Sequence, residues 1–535
     1  MNRPCPKWLE NAVFYEIYPQ SFCDSNGDGI GDLQGIIEKL DYIKDLGCNA
    51  IWMNPCFLSP FQDAGYDVAD FYRIAPRYGT NDDAKKLFAE AAKRGIKVCL
   101  DLVAGHTSIE HEWFKQSCKP EHNKYSNWYV WTNSIWDAGD WTGRFVGGYA
   151  QRDGQYLNNF FYCQPALNYG FANPDPNKPW QLPMDHPDCL AVRQELKNII
   201  KFWLDMGATG FRVDMAKSLI KNDPDSAVVA KLWNEVREWL DADYPEAVLI
   251  SEWGDPVIAI PAGFHIDFLF QLHVGYNSLF RYERDQFCNP TPENHSFFRK
   301  EGKGDITLFL DQYMNYYRKT KDKGYVSLIS GNHDIGRCSQ GCDSEDLKLI
   351  FAFLLTMPGV PFIYYGDEIG MRYLSGLPSK EGGFHRTGAR TPMQWSAEAN
   401  AGFSTADPSK LYLPVDPSPD APNVADQQGK PDSLLETVRA LIKLRKDNPA
   451  LCADGEFSPV YWEPNGYPFV FLRTLNGERM LVAFNPSGKP AEVEFQITGS
   501  GFKNELMMGK GAHIAESSGK IKLKMDGVSY GVFKL

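Results

Sequence analysis

The chain has 535 residues, with 55 Lys and Arg against 68 Asp and Glu, a net charge of −13. That balance argues against a nucleic-acid partner or an anionic membrane surface, and a chain this long divides into more than one domain. Its 43% hydrophobic and 23% charged residues are ordinary for a globular protein.

Aromatic residues stand at 14%, including 14 Trp and 26 Tyr. Flat rings suit the apolar C–H faces of sugars, although a large aromatic core accounts for the same number. The 12 cysteines are irregularly spaced and do not form a disulfide framework. Cys338 and Cys342 are the one close pair, and no further ligands lie near them for zinc.

In chain order, the opening residues MNRPCPKWLENAVFYEIY lack the apolar run of a secretory signal, so a cytoplasmic location is expected. The first strand is expected in AVFYEIYPQSF (12–22). DSNGDGIGDL (24–33) follows it and imitates half an EF-hand, with oxygens at Asp24, Asn26 and Asp28 and a Gly at position 29. Position twelve of such a loop is Gly35, which supplies no carboxylate. The stretch therefore reads as a hard-cation loop closed by Asp32, or as a solvated acidic turn. A helix over LQGIIEKLDYIKDLG, a strand in AIWMNPCF (50–57), a helix over DAKKLFAEAAKRG and a strand in KVCLDLVAGH (97–106) come next.

About a hundred residues rich in Trp, Tyr, Asn and Gly separate this third strand from a fourth, GFRVDMA (210–216). AVLISEWG (247–254), HIDFLFQLH (265–273), YVSLISGNHD (325–334) and VPFIYYGDE (360–368) complete eight strands. The uncharged run LIFAFLLTMPGVPFIYYG (349–366) is long enough for a membrane span, but Pro358, Gly359 and Pro361 cut it into a buried helix and a strand. Eight apolar strands alternating with helices predict a (β/α)8 TIM barrel. After residue 455 the pattern becomes short alternating strands, an all-β sandwich. The expected organisation is a barrel over 1–104 and 181–455, an inserted subdomain over 105–180 and a C-terminal β domain over 456–535.

Barrel enzymes carry their chemistry where strands end. Here those ends hold Asp101 and His106, Arg212 and Asp214, Glu252, His333 and Asp334, and Asp367 and Glu368. Asp214 and Glu252 lie inside apolar runs, where an unpartnered carboxylate is costly. Two such acids suit glycoside hydrolysis, one attacking or stabilising the sugar and one protonating the leaving oxygen.

These stretches resemble the signature regions of the α-amylase superfamily, glycoside hydrolase family 13. DLVAGH, GFRVDMAK, ISEW and SGNHD are similar to its first four regions, QPALN (164–168) to its fifth, and FYEIYPQSF and GVPFIYYGDEIGM to its first and last strands. The resemblance implies Asp214 as nucleophile, Glu252 as general acid and then base, and Asp334 as the acid that binds sugar hydroxyls. It implies Arg212 beside the nucleophile, keeping it ionised. His106 and His333 are implied on sugar hydroxyls, and Tyr66 on the sugar face.

GARTPMQW (388–395) and QDAGYD (62–67) resemble the oligo-1,6-glucosidase and α-glucosidase group, which includes trehalose synthases and sucrose isomerases. That likeness implies Asp63 and Arg390 clamping a terminal glucose, with Arg386 also matching, and exo-action on small α-glucoside oligosaccharides. The expected function is a retaining exo-acting α-glucosidase, with a transglucosylase or isomerase as the alternative. The group's DxNxDGIGD loop implies a structural Ca2+, or Mg2+ in its place, on Asp24, Asn26, Asp28, the Ile30 carbonyl and Asp32. Gly105 and Ala166 replace an Asn and an Asp that contribute to a second calcium site in α-amylases, and so argue against that site here. Met215 leaves the linkage preference open.

Overall fold

The computed structural model describes residues 5–137, 144–285, 289–498, 504–517 and 520–535. Eight parallel strands form its centre: β1 (Phe14–Ile17), β2 (Ala50–Met53), β3 (Lys97–Leu102), β4 (Gly210–Val213), β5 (Val248–Ser251), β6 (Ile266–Leu269), β7 (Tyr325–Leu328) and β8 (Phe362–Tyr364). Each neighbours the next in chain order, β1 pairs with β8, and an Ile329–Phe362 bridge joins the seventh strand's end to β8 and closes the barrel. All eight sequence-predicted strands are present. They are legible because a strand covered on both faces reads as a nearly continuous apolar run.

Helices cover the barrel. Asn81–Lys93 begins with a capping box between Thr80 and Asp83. Pro187–Met206 buries Val192, Leu196, Ile199, Ile200 and Trp203 at helical spacing. The helix expected over LQGIIEKLDYIKDLG is two helices, Leu33–Glu38 and Leu40–Leu46, because Lys39 (φ −101°, ψ 5°) leaves the helical region between them. Gly47 ends the second at φ 100°, a left-handed cap that favours glycine. The residues 349–366 divide as expected, into the helix Ser344–Thr356 and β8. No described helix is long and apolar enough to cross a membrane.

Between β3 and the helix Pro187–Met206 the chain forms a loop-rich insert. It contains a short helix, Glu112–Ser117, and a hairpin, Phe145–Gly147 with Gln155–Leu157. A small core of Val130, Leu157, Ala166, Phe171 and Trp180 holds it together. From Glu456 onward six antiparallel strands form the C-terminal domain. Alternation splits their side chains between two cores. Phe469, Phe471, Met480, Val482 and Phe484 join the core shared with the barrel, while Val470, Leu472, Leu481 and Ala483 face a core within the domain.

Candidate active site

The polar residues at the strand ends converge on Arg212. Its register on β4 places it beside Asp101 of β3 and Ile250 of β5. Its Nη1 lies 2.8 Å from Asp101 and 3.1 Å from Asp214, and its Nη2 3.0 Å from Glu252. One guanidinium therefore touches three carboxylates brought in from three strands. The arginine side chain is 4% exposed and Glu252's is 21% exposed, so the cation lies beneath and the acid reaches the opening. Asp101 also accepts from Trp52 Nε1 at 3.1 Å and from the Tyr66 hydroxyl at 2.9 Å.

Met215, directly after the nucleophile candidate, is left-handed (φ 44°, ψ 44°), a costly conformation for an unbranched non-glycine residue. That turn aims its N–H at Glu252 Oε2, 2.9 Å away. Burial pushes Asp214 well above the usual carboxylate range, and the charge and hydrogen bond of Glu252 add to the effect. Arg212 pulls the other way, toward the ionised form that the sequence-based expectation gives Asp214. Asp214 and Glu252 thus meet across one cation, with burial opposing the charge on Asp214.

Asp334 has the opposite environment. Its Oδ1 lies 2.9 Å from Arg386 Nη1 and 3.0 Å from Arg390 Nη2, and its Oδ2 3.4 Å from His333 Nε2. Burial works against its charge, but the surrounding cations hold it well below the carboxylate range. Burial also lowers His333 to about 3, so near neutrality the arginines, not the imidazole, keep Asp334 ionised.

Arg386, not Arg390, is the partner of Asp63: Nη2 to Oδ1 is 3.1 Å. Arg390 instead donates to the His333 carbonyl at 2.7 Å. Asp63 is completed by Gln164 Nε2 at 2.9 Å, from the insert. Both arginines belong to one 3-10 segment, Phe384–Ala389 and its cap, and only its tertiary placement separates their roles. Ala64, where the resembled group has Asn, takes φ 50°, a conformation Asn accepts more readily.

Tyr66 and His333 are stacked with ring centres 5.4 Å apart, and Tyr66 Oη lies 2.8 Å from His333 Nε2. His333 Nδ1 lies 2.9 Å from Glu16 Oε1 and 3.1 Å from Asn54 Nδ2. Burial raises Glu16 well above its ordinary value, and Asn54 Nδ2 also donates to its Oε1 at 3.2 Å. His106 engages the Tyr66 carbonyl and Asn159 Nδ2, both at 3.1 Å. Both histidines thus spend their ring nitrogens inside the protein, and their expected sugar contacts would displace these partners.

Asn159 also reaches Ser218 Oγ at 3.1 Å, and the Lys221 ammonium lies 3.5 Å from its Oδ1. A Cβ at Gly105 would lie 2.7 Å from Asn159 Nδ2 and Ser218 Oγ, so a side chain there would have to move these two groups. Asp367 and Glu368, at the end of β8, are not in the site. Asp367 pairs with Arg337 at 2.8 Å, and Glu368 accepts from Tyr15 and Tyr42. Sequence reasoning missed Glu16, Asn159 and Gln164. Glu16 carried the signal that marked Asp214, an acid inside an apolar run.

The loop after β1 wraps around Asp24, which accepts from the N–H groups of Asn26, Gly27 and Gly29 and from Ser404 Oγ. Asn26 and Asp28 accept from N–H groups within the loop, while Asp32 caps the helix Leu33–Glu38 and holds Ser25. Its oxygen-only donor set suits a hard divalent cation. As the loop stands, Asp24 and Asp32 spend their oxygens on hydrogen-bond donors, and no described group of three or more His, Cys, Asp or Glu is arranged to hold a metal.

The family profile described as alpha amylase, catalytic domain, matches residues 16–454. A trehalose synthase/amylase of Mycobacterium tuberculosis is 31% identical over 92% of this chain and 84% of its own. A glucan 1,6-alpha-glucosidase of Streptococcus pneumoniae is 33% identical over 91% of this chain and 93% of its own. The crystal structure of the trehalulose synthase MutB of Pseudomonas mesoacidophila superimposes with a TM-score of 0.80 at 28% identity, covering 99% of this chain and 100% of that one.

Proposed function

The chain belongs to the α-amylase family and is a glycoside hydrolase, and from that premise we propose that it is a retaining exo-acting α-glucosidase for short α-glucosides. The observation that carries this reading is the single Arg212 guanidinium gripping both Asp214 and Glu252. In the proposed reaction the Asp214 carboxylate attacks the anomeric carbon as Glu252 passes its proton to the glycosidic oxygen. The C–O bond breaks, the alcohol leaves and a β-glycosyl ester remains. Glu252, now ionised, takes a proton from water, and the hydroxide formed displaces Asp214 with the α configuration restored. A substrate entering between the two acids separates them toward the roughly 5–5.5 Å of a retaining pair.

Asp334, kept ionised by Arg386 and Arg390, is placed to bind sugar hydroxyls. The Asp63–Arg386 pair supports exo-action, since an ion pair across one end of the pocket leaves no path for a longer chain. NMR of the first-formed product tests the assignment: α-glucose is expected, and β-glucose would overturn it.

The alternative on the same site is isomerisation or transglucosylation, favoured by the likeness to the trehalose synthase and trehalulose synthase relatives. Net glucose from maltose, isomaltose, sucrose and trehalose supports hydrolysis, and disaccharide isomers without net glucose support the alternative. The loop at Asp24–Asp32 belongs to the same proposal as a structural Ca2+ or Mg2+ site whose carboxylates exchange their N–H donors for the cation.

A further inference from the structure

Asp267 lies on β6, fully buried, and takes no part in the reaction described above. We propose that Asp267 is a positioning residue for Glu252, fixing the backbone on both sides of the general acid so that the proton is delivered in line with the glycosidic oxygen. The inference rests on the assignment of Glu252 as that acid.

Glu252 is the first residue beyond the end of β5, and only its own N–H, on the Val213 carbonyl at 3.0 Å, continues the ladder. The next N–H groups leave the sheet without strand partners, which inside a barrel is costly. Asp267 pairs in register with Ser251, the residue before Glu252. Its Oδ1 accepts from Ser251 Oγ at 2.7 Å and from Trp253 N at 3.2 Å, with Gly254 N at 3.4 Å. One oxygen therefore holds the residue before the acid and two after it.

The turn following β6 completes the grip. Gly254 (φ 74°) leaves no room for a Cβ, which would meet Phe270 Cε1 at 2.9 Å, and its carbonyl lies 2.8 Å from His273 Nε2. Asp267 Oδ2 has no side-chain hydrogen-bond partner among the described residues, and burial raises the group to about 7. The neutral acid therefore suffices for the role, because Oδ1 accepts hydrogen bonds in either state. An acid so buried, with Oδ1 turned to the three residues around Glu252, is a costly device for stability alone.

The experiment compares kcat/KM for methyl α-glucoside, whose leaving alkoxide needs a proton, and α-glucosyl fluoride, whose leaving fluoride does not. Asp267→Ala is expected to lower the first by about 30-fold or more, a share of what general acid catalysis supplies, and the second by less than about threefold. Asp267→Asn keeps an acceptor oxygen and is expected to stay within about threefold of the parent on both. Because both donors are read on one preparation, their ratio does not depend on the fraction folded. Equal losses on the two donors, no loss in the Ala variant, or an Asn variant as impaired as Ala would each overturn the inference. A parent enzyme that turns over neither donor would instead overturn the α-glucosidase reading, and this inference with it.

Discussion

Asp214→Asn removes one of the two acids held side by side on Arg212, and leaves Arg212 in contact with Asp101 and Glu252. Hydrolysis is expected to fall by three or more orders of magnitude, about what loss of a covalent nucleophile costs, while the chain stays folded. Because Asp214 is raised above its unfolded value, the native state holds its proton more tightly than the unfolded chain. Its contribution to stability is present below the ordinary Asp range and is lost as pH rises through the raised value. The melting temperature of Asp214→Asn should therefore gain on the parent as pH rises above the ordinary Asp range; a constant difference would contradict the raised Asp214. At the other end of the pocket, Arg386→Lys breaks the fork between Asp63 and Asp334. It is expected to relax the preference for short substrates, measured as kcat/KM for maltose against maltopentaose. Arg390→Lys, which leaves Asp63 paired, should weaken both alike.

Among the elements, the segment joining β1 to the helix Leu33–Glu38 has the clearest test. Its carboxylates are already organised by N–H donors, and Ser404 ties it to a loop that follows β8. If it takes Ca2+, chelation should lower the melting temperature by several degrees, about what 1–3 kcal/mol gives, and leave kcat/KM of the surviving fold unchanged. An unaltered melt would mean that the hydrogen-bonded loop needs no cation. Element type was largely legible and element boundaries less so. The break at Lys39 lies inside an unbroken apolar periodicity, since it comes from one residue's dihedrals and not from composition. The helix Thr307–Thr320, between β6 and β7, buries Phe309, Leu310, Tyr313 and Tyr317 and was not read from the sequence. Its aromatic side chains suit strands as well as helices.

At the scale of the whole molecule, the C-terminal sheet acts through packing. Phe484 is fully buried against Phe298 and Phe353, with ring centres 5.7 and 5.8 Å away, and so joins that domain to the barrel. Phe484→Ala is expected to cost about 3–5 kcal/mol, seen as a lower denaturation midpoint, with kcat/KM per folded molecule unchanged. A matching loss of kcat/KM would mean that the domain shapes the site. The amino-acid sequence by itself determined the eight strands and marked Asp214 and Glu252, because burial forces apolar runs and an acid within one stands out. Tertiary structure alone decided that Asp63 faces Arg386, that one Arg212 guanidinium reaches Asp101, Asp214 and Glu252 together, and that Asp267 braces the residues around Glu252. Those outcomes depend on distances of about 3 Å between groups tens to hundreds of residues apart, and electrostatic and hydrogen-bond energies at that range are set by geometry that spacing along the chain does not carry.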